Sequence, residues 1–208
     1  IAALMALNLA KQFDLKAMGY LSADYLHVLI EAMKLAFADA REYVADPHMA
    51  DVPMAELLSD EYTQKQARQI DMRRAAKQIL PGDPFPSTDT EYHSVIDRWG
   101  NACSFICSNY QSGTFGSGIV PEDLGFALQN RGALFSLDPK HRNALAGGKR
   151  PYHTIIPALA LPDPSGFGNP KGLYRAISFG VMGGFMQPQG HLQVMCNLDF
   201  GLNVQEAL

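Results

Sequence analysis

The first third of the chain is patterned for helices, and the rest for strands and turns. Apolar residues crowd Ala2 to Phe13, with Leu4, Met5, Leu7 and Leu9 among them, which reads as the end of a helix. Met18-Gly19-Tyr20 breaks it. Ser22 is placed to cap a long helix reaching about Val44, because Leu26, Leu29, Met33, Phe37, Ala40 and Val44 recur at spacings of three and four. Asp46-Pro47 ends that stripe. A further helix is predicted over about Ala55–Ile79, with Lys65, Arg68, Arg73, Arg74 and Lys77 as a solvated face. Glu31, Asp39 and Glu42 read as surface charges of the long helix.

The period changes after a loop of Pro81, Gly82, Pro84 and Pro86. Ser94–Ile96, Ala102–Cys107, Phe126–Leu128, Thr154–Leu161 and Tyr174–Phe179 are predicted strands. Trp99-Gly100-Asn101 turns the first pair, and Pro162–Gly166 turns the last. Gly183-Gly184 precedes a helix from about Pro188 to Leu198. Helices, then strands, then a helix point to an α+β layered fold.

Composition narrows the classes. The 208 residues are 47% hydrophobic and 18% charged, enough for one domain with a sizeable core. The net charge of −4, with no block of like charges, argues against nucleic acid and a polybasic membrane patch. No apolar run approaches the ~20 residues of a membrane span. Cys103, Cys107 and Cys196 form an odd set without CxxC, read as buried free thiols. His27, His48, His93, His141 and His191 show no spacing that argues for a metal, so no zinc site is expected. The chain begins at Ile1 without Met, so a leader sequence is not testable here, and the compartment, cytoplasmic or periplasmic/secreted, stays open.

The candidate chemistry centres on Asp89-Thr90, where the Pro-rich loop meets a hairpin. Cleavage of that bond would give Thr90 a free α-amine beside its own hydroxyl. Such an amine has a reference pKa of ~7.7–8, suited to a general base near neutral pH. An N-terminal-nucleophile hydrolase needs this arrangement, although Thr90 also fits as an ordinary strand residue. Gly183 and Gly184 could present N–H groups to an oxyanion, or simply make a tight turn. His153 and Thr154 could flank a reacting carbonyl, or lie in a solvated turn.

Together these pieces resemble the gamma-glutamyltranspeptidase family. The likeness runs through Thr90-Glu91-Tyr92-His93-Ser94-Val95-Ile96-Asp97, Gly100-Asn101-Ala102, Thr114–Val120, Gly148-Lys149-Arg150-Pro151, Gly183-Gly184 and Asp199-Phe200-Gly201-Leu202-Asn203. The helix around Glu31–Asp39 and Tyr43–Pro47 looks like the end of that family's large subunit. The resemblance implies an αββα sandwich, with this chain as a central fragment. Residues 1–89 would close the large-subunit region in a processing loop. Residues 90–208 would open the small-subunit region with the nucleophile hairpin, the two making one domain.

It further implies self-cleavage at Asp89–Thr90 and acyl transfer through a Thr90 ester, with Gly183 and Gly184 as oxyanion hole and neither a metal nor an organic cofactor. Ser112, Arg131, His153 and Thr154 fall at substrate-binding positions. The expected partners are a small-molecule amide and a water or amine acceptor, and a homo-oligomer is compatible. The chain departs from the family where a γ-glutamyl amine is bound: Leu134 stands at the acidic position, Arg131 at the preceding amide or acid position, and Ser112-Gly113 replaces an Asn. An Arg suits a carboxylate instead, which implies γ-glutamyl or related glutaryl-type amides and a divergent, acylase-like branch. The segment 138–150 is short where relatives carry a lid. The alternative is a non-catalytic relative that keeps the fold as a binding or structural protein.

Overall fold

The computed structural model describes residues 1–76, 90–110, 116–162 and 175–208. Its helical layer is built on α1 (Ala2–Ala10), α3 (Ala23–Tyr43) and α6 (Gln187–Asp199). Ala6 and Ala10 meet Ala36 and Ala40 in one fully buried cluster, where small side chains let the helices approach closely. Val28, Tyr25, Leu192 and Cys196 complete this core. Val28 and Leu192 have no exposed surface, and such burial stabilises by ~1.5–3 kcal/mol per side chain. Tyr25 meets Phe200 edge-on at 5.4 Å, and burial pushes the Cys196 thiol up to about 12. No described helix is long and apolar enough to cross a membrane.

Capping explains the helix boundaries. Ser22 Oγ accepts from Tyr25 N at 3.1 Å and starts α3. Asp14 caps a short helix, α2 (Leu15–Met18), by accepting from Ala17 N, so the first helix stops at Ala10 rather than Phe13. The helix predicted over 55–79 is instead two, α4 (Met54–Leu57) and α5 (Asp60–Ala67). Ser59 separates them: its hydroxyl donates to Glu56 O and accepts from Tyr62 N, competing with a continuous helix. Residues 77–79 lie outside the described residues.

Glu31 is not a surface charge. It is buried, receives Lys34 Nζ at 2.7 Å, and accepts from Ala76 N at 3.0 Å, tying segment 71–76 to α3. Asp39 likewise accepts from Tyr62 Oη and Gln66 Nε2, while Glu42 is exposed.

The strand layer is smaller than the pattern suggests. A hairpin pairs β1 (Thr90–Ile96) with β2 (Ala102–Ser108) in the register Thr90↔Ser108 to Ile96↔Ala102. Asp97 Oδ1 accepts from Trp99 N and Asn101 N, and Gly100 supplies the positive φ of the turn. The second sheet, β3 (Ala158–Ala160) with β4 (Ile177–Phe179), has only three residues in each strand. Pro157, without an N–H, ends the longer strand predicted from Thr154. Tyr174 and most of the Pro162–Gly166 turn lie outside the described residues.

Phe126–Leu128 is a loop, held by Leu128 N to Ile119 O and Ser117 N to Leu128 O. Cys103 and Cys107 are exposed rather than buried, since they share the outward face of the hairpin with Phe105. A four-residue helix, α7 (Val204–Ala207), is started by a capping box of Asn203 and Glu206.

Candidate active site

Period-two geometry places Thr90 and Tyr92 on the inner face of β1, opposite Ser108, Ile106 and Ser104 of β2. Thr90 Oγ1 donates to Ser108 Oγ at 3.0 Å. Ser108 Oγ also accepts from Tyr110 N at 3.0 Å. Its remaining valence is its own proton, so the Thr90 hydroxyl sits at the end of a short polar chain. Tyr110 is buried with φ +80, a backbone strain of the kind that concentrates at functional sites.

A cavity of about 190 Å³ opens over this pair, with Arg131, Thr154, Gly184 and Gln187 on its other walls. Arg131 Nη1 donates to Thr154 Oγ1 at 2.7 Å, and its guanidinium lies 4.9 Å over the Tyr110 ring. Burial lowers its pKa from the usual guanidinium value, with Tyr110 opposing; it stays a cation at neutral pH. A cation with donors to spare, in a partly desolvated wall, is what a ligand carboxylate requires.

Gly183 and Gly184 have φ of +130 and +58, conformations that side chains avoid. Gly183 O accepts from Met186 N at 3.0 Å, which closes a tight turn into α6. Gly184 is buried and lines the Thr90 cavity; Gly183 adjoins it in the chain.

Of the predicted residues, Thr90, Gly184, Arg131 and Thr154 therefore share one cavity. His153 does not. It lines a neighbouring cavity of about 80 Å³ that Thr154 and Gly184 also reach, its ring stacks on Tyr152 at 6.1 Å, and its Nδ1 accepts from Ile155 N. Asp89 and Ser112 lie outside the described residues. Ser108, Tyr110 and Gln187 were not anticipated. Ser108 was findable, because a hairpin turning at Gly100 carries the register from Ile96↔Ala102 back to Thr90↔Ser108.

Two contacts hold the far wall. Asp46 is buried and accepts from Arg150 N, Nε and Nη2, the last at 2.8 Å. These bonds from the Arg150 side chain and backbone, with the His48 N–H, keep its carboxyl well below the usual range. Asn143 donates to Leu134 O and accepts from Tyr152 N, tying the Arg131 turn to the Thr154 segment.

Comparison with known proteins supplies relatives for this arrangement. The gamma-glutamyltranspeptidase family profile matches residues 1–208. The chain is 38% identical over 207 residues to the glutathione hydrolase-like YwrD proenzyme of Bacillus subtilis, covering 99% of this chain and 36% of that protein. It is 42% identical over 167 residues to the oxamate amidohydrolase proenzyme of Klebsiella pneumoniae, covering 80% of this chain and 29% of that one. In structure it resembles the cephalosporin acylase of Bacillus halodurans, with a TM-score of 0.74 and 43% identity over 99% of this chain and 35% of that one. The chain thus spans about a third of the length of the relatives it matches.

Proposed function

The chain belongs to the gamma-glutamyltranspeptidase family, and from that premise we propose that it carries the nucleophile and oxyanion turn of a self-processing amidohydrolase or acyltransferase. The fold proposed for the whole protein is an αββα sandwich, with residues 1–89 closing one subunit and residues 90–208 opening the other. The observation that carries the reading is the convergence of Thr90, Ser108, Gly184 and Arg131 on one cavity.

Cleavage of Asp89–Thr90 frees the Thr90 α-amine. That amine takes the hydroxyl proton as Oγ1 bonds to the acyl carbon. Ser108 orients Oγ1, and the N–H groups of the Gly183-Gly184 turn stabilise the oxyanion. The C–N bond then breaks, the leaving amine takes the proton back, and a Thr90 ester remains. Water or an amine acceptor attacks the ester and restores the hydroxyl. No step draws on a metal or an organic cofactor.

Arg131 gives the acyl group its character. It sits where an ammonium would be repelled and a carboxylate paired. Amides whose acyl group ends in a carboxylate, of glutaryl type, fit better than γ-glutamyl amides. Relatives are named for different substrates: glutathione hydrolase-like, oxamate amidohydrolase and cephalosporin acylase.

The test is the intact mass of the full-length protein and of its Thr90→Ala variant, each purified without added protease. Two fragments meeting at Asp89–Thr90 in the wild type, and one uncut chain in the variant, are expected. An uncut wild type supports the non-catalytic alternative, and a cut variant removes Thr90 from the chemistry.

A further inference from the structure

The oxyanion turn hangs from β4, a strand of three residues that, among the described residues, pairs only with another strand of three. So short a ladder does not by itself fix where the turn stands relative to Thr90. Contacts from other elements do so, and they converge on Tyr92.

Tyr92 lies two residues after Thr90 on the same face of β1. Its Oη is 2.8 Å from Ser104 Oγ on β2 and 3.0 Å from Ser178 Oγ on β4. Its ring covers Gly180 so closely that a Cβ there would lie 2.7 Å from Tyr92 Cδ2 and 2.8 Å from Ile156 Cδ1. Ser178 and Gly180 are the residues from which the chain runs through Val181 and Met182 into Gly183-Gly184. On the other flank, Val181 is pressed onto α6, where a Cβ at Gly190 would come within 2.5 Å of Val181 Cγ1.

We propose that Tyr92 is a positioning residue that spans from the nucleophile strand to the oxyanion turn and, with Gly180 and the Val181–Gly190 seat, sets their separation. Tyr92 is not among the residues lining the Thr90 cavity, so it acts through Thr90 and the turn rather than on substrate. The inference rests on the reading of Thr90 and Gly183-Gly184 given above. Its physical basis is that a misplacement of about 1 Å between reacting groups can cost about 10²-fold.

Three variants of the full-length, processed protein test it: Tyr92→Phe, Ser178→Ala and the pair together. The readouts are single-turnover acylation by a glutaryl anilide, KM, and thermal midpoint. Tyr92→Phe removes two neutral hydrogen bonds, to Ser104 and to Ser178, and Ser178→Ala removes only the second; each is worth up to about tenfold. The expected result is acylation slowed about tenfold with KM within about twofold. The double variant should be no slower than Tyr92→Phe alone, because that change already cuts the link to Ser178.

Gly180→Ala, which pushes the ring away, should slow acylation about 10²-fold. A purely structural role would lower the thermal midpoint and leave acylation by the folded fraction intact; that result overturns the proposal. Wild-type acylation by Tyr92→Phe, or simple additivity in the pair, also overturns it. A wild type that does not process removes the proposed function and the link with it. A processed, active wild type beside a fully active Tyr92→Phe removes the link alone.

Discussion

The two faces of the β1–β2 hairpin differ in a way that reverses ordinary expectation. The inner face carries half-buried hydroxyl pairs near Ile106: Thr90 with Ser108 and Tyr92 with Ser104. The outer face carries Glu91, His93, Val95, Cys103, Phe105 and Cys107, and all are exposed. Val95 is 60% and Phe105 55% exposed. Apolar residues are no guide to the inside of this hairpin. A row of hydroxyls stays half-buried because each one has a partner, which is the condition for burying polar groups. The comparison teaches that the chemistry follows hydrogen-bond satisfaction and strand register, and that hydrophobicity alone does not distinguish the faces, since Ile96, Ala102 and Ile106 share the inner one.

The largest expected effect lies on the turn that the inner face addresses. Gly184→Val should cut single-turnover acylation about 10²–10³-fold, the loss seen when an oxyanion donor is removed. Val at the positive φ of this buried turn should also lower the thermal midpoint, so acylation is compared per folded, processed molecule. Near-normal acylation in a folded variant would return the Gly183-Gly184 motif to a simple turn.

Arg131→Leu tests the wall facing Thr90. Losing a charged contact costs ~1.5–3 kcal/mol, or about 10- to 150-fold in kcat/KM. The loss should fall on a glutaryl anilide, and a γ-glutamyl anilide should be a poor substrate of the wild type to begin with. A wild-type preference for the γ-glutamyl anilide would contradict the role given to Arg131.

Register predicts a smaller but diagnostic contrast. Ser108→Ala removes one neutral hydrogen bond from Thr90 and should slow acylation about tenfold. Cys107→Ser, one residue away on the outer face, should leave it within about twofold. Equal losses from the two would show that the face makes no difference.

The Asp46–Arg150 pair gives a stability signature without a direct catalytic one. Its folded carboxyl titrates well below the unfolded value of ~3.9. The stabilisation is therefore complete above about pH 4 and is lost as pH falls below that towards the folded value. Asp46→Asn should lower the thermal midpoint at pH 7, and the gap from wild type should narrow below about pH 4. A gap that stayed constant with pH would assign the effect to packing.

Much of the frame was legible because its signals are local. The three-and-four spacing of Leu29, Met33, Phe37 and Ala40, with Ser22 before it, specifies α3 almost to the residue. The Trp99-Gly100-Asn101 turn specifies the hairpin, and through its register the partner of Thr90. What stayed hidden depends on distant residues. Nothing near Glu31 in the sequence says that Ala76 N will be its partner. The hydroxyl of Ser59 divides a helix that composition alone would continue. His153 looked equivalent to Thr154, but only Thr154 reaches the Thr90 cavity, while both line the neighbouring one. Tyr110 and Gln187 entered the cavity wall only once β2 and α6 were brought together.

The most direct test of the central claim is to trap the acyl group. The processed full-length protein is mixed with a glutaryl anilide, quenched in acid during the first turnover and digested for mass spectrometry. The account predicts a glutaryl ester on Oγ1 of the peptide that begins at Thr90, absent when the Thr90 peptide comes from a substrate-free control. Anilide release with the acyl group on another residue, or burst-phase turnover with an unmodified Thr90 peptide, would contradict it.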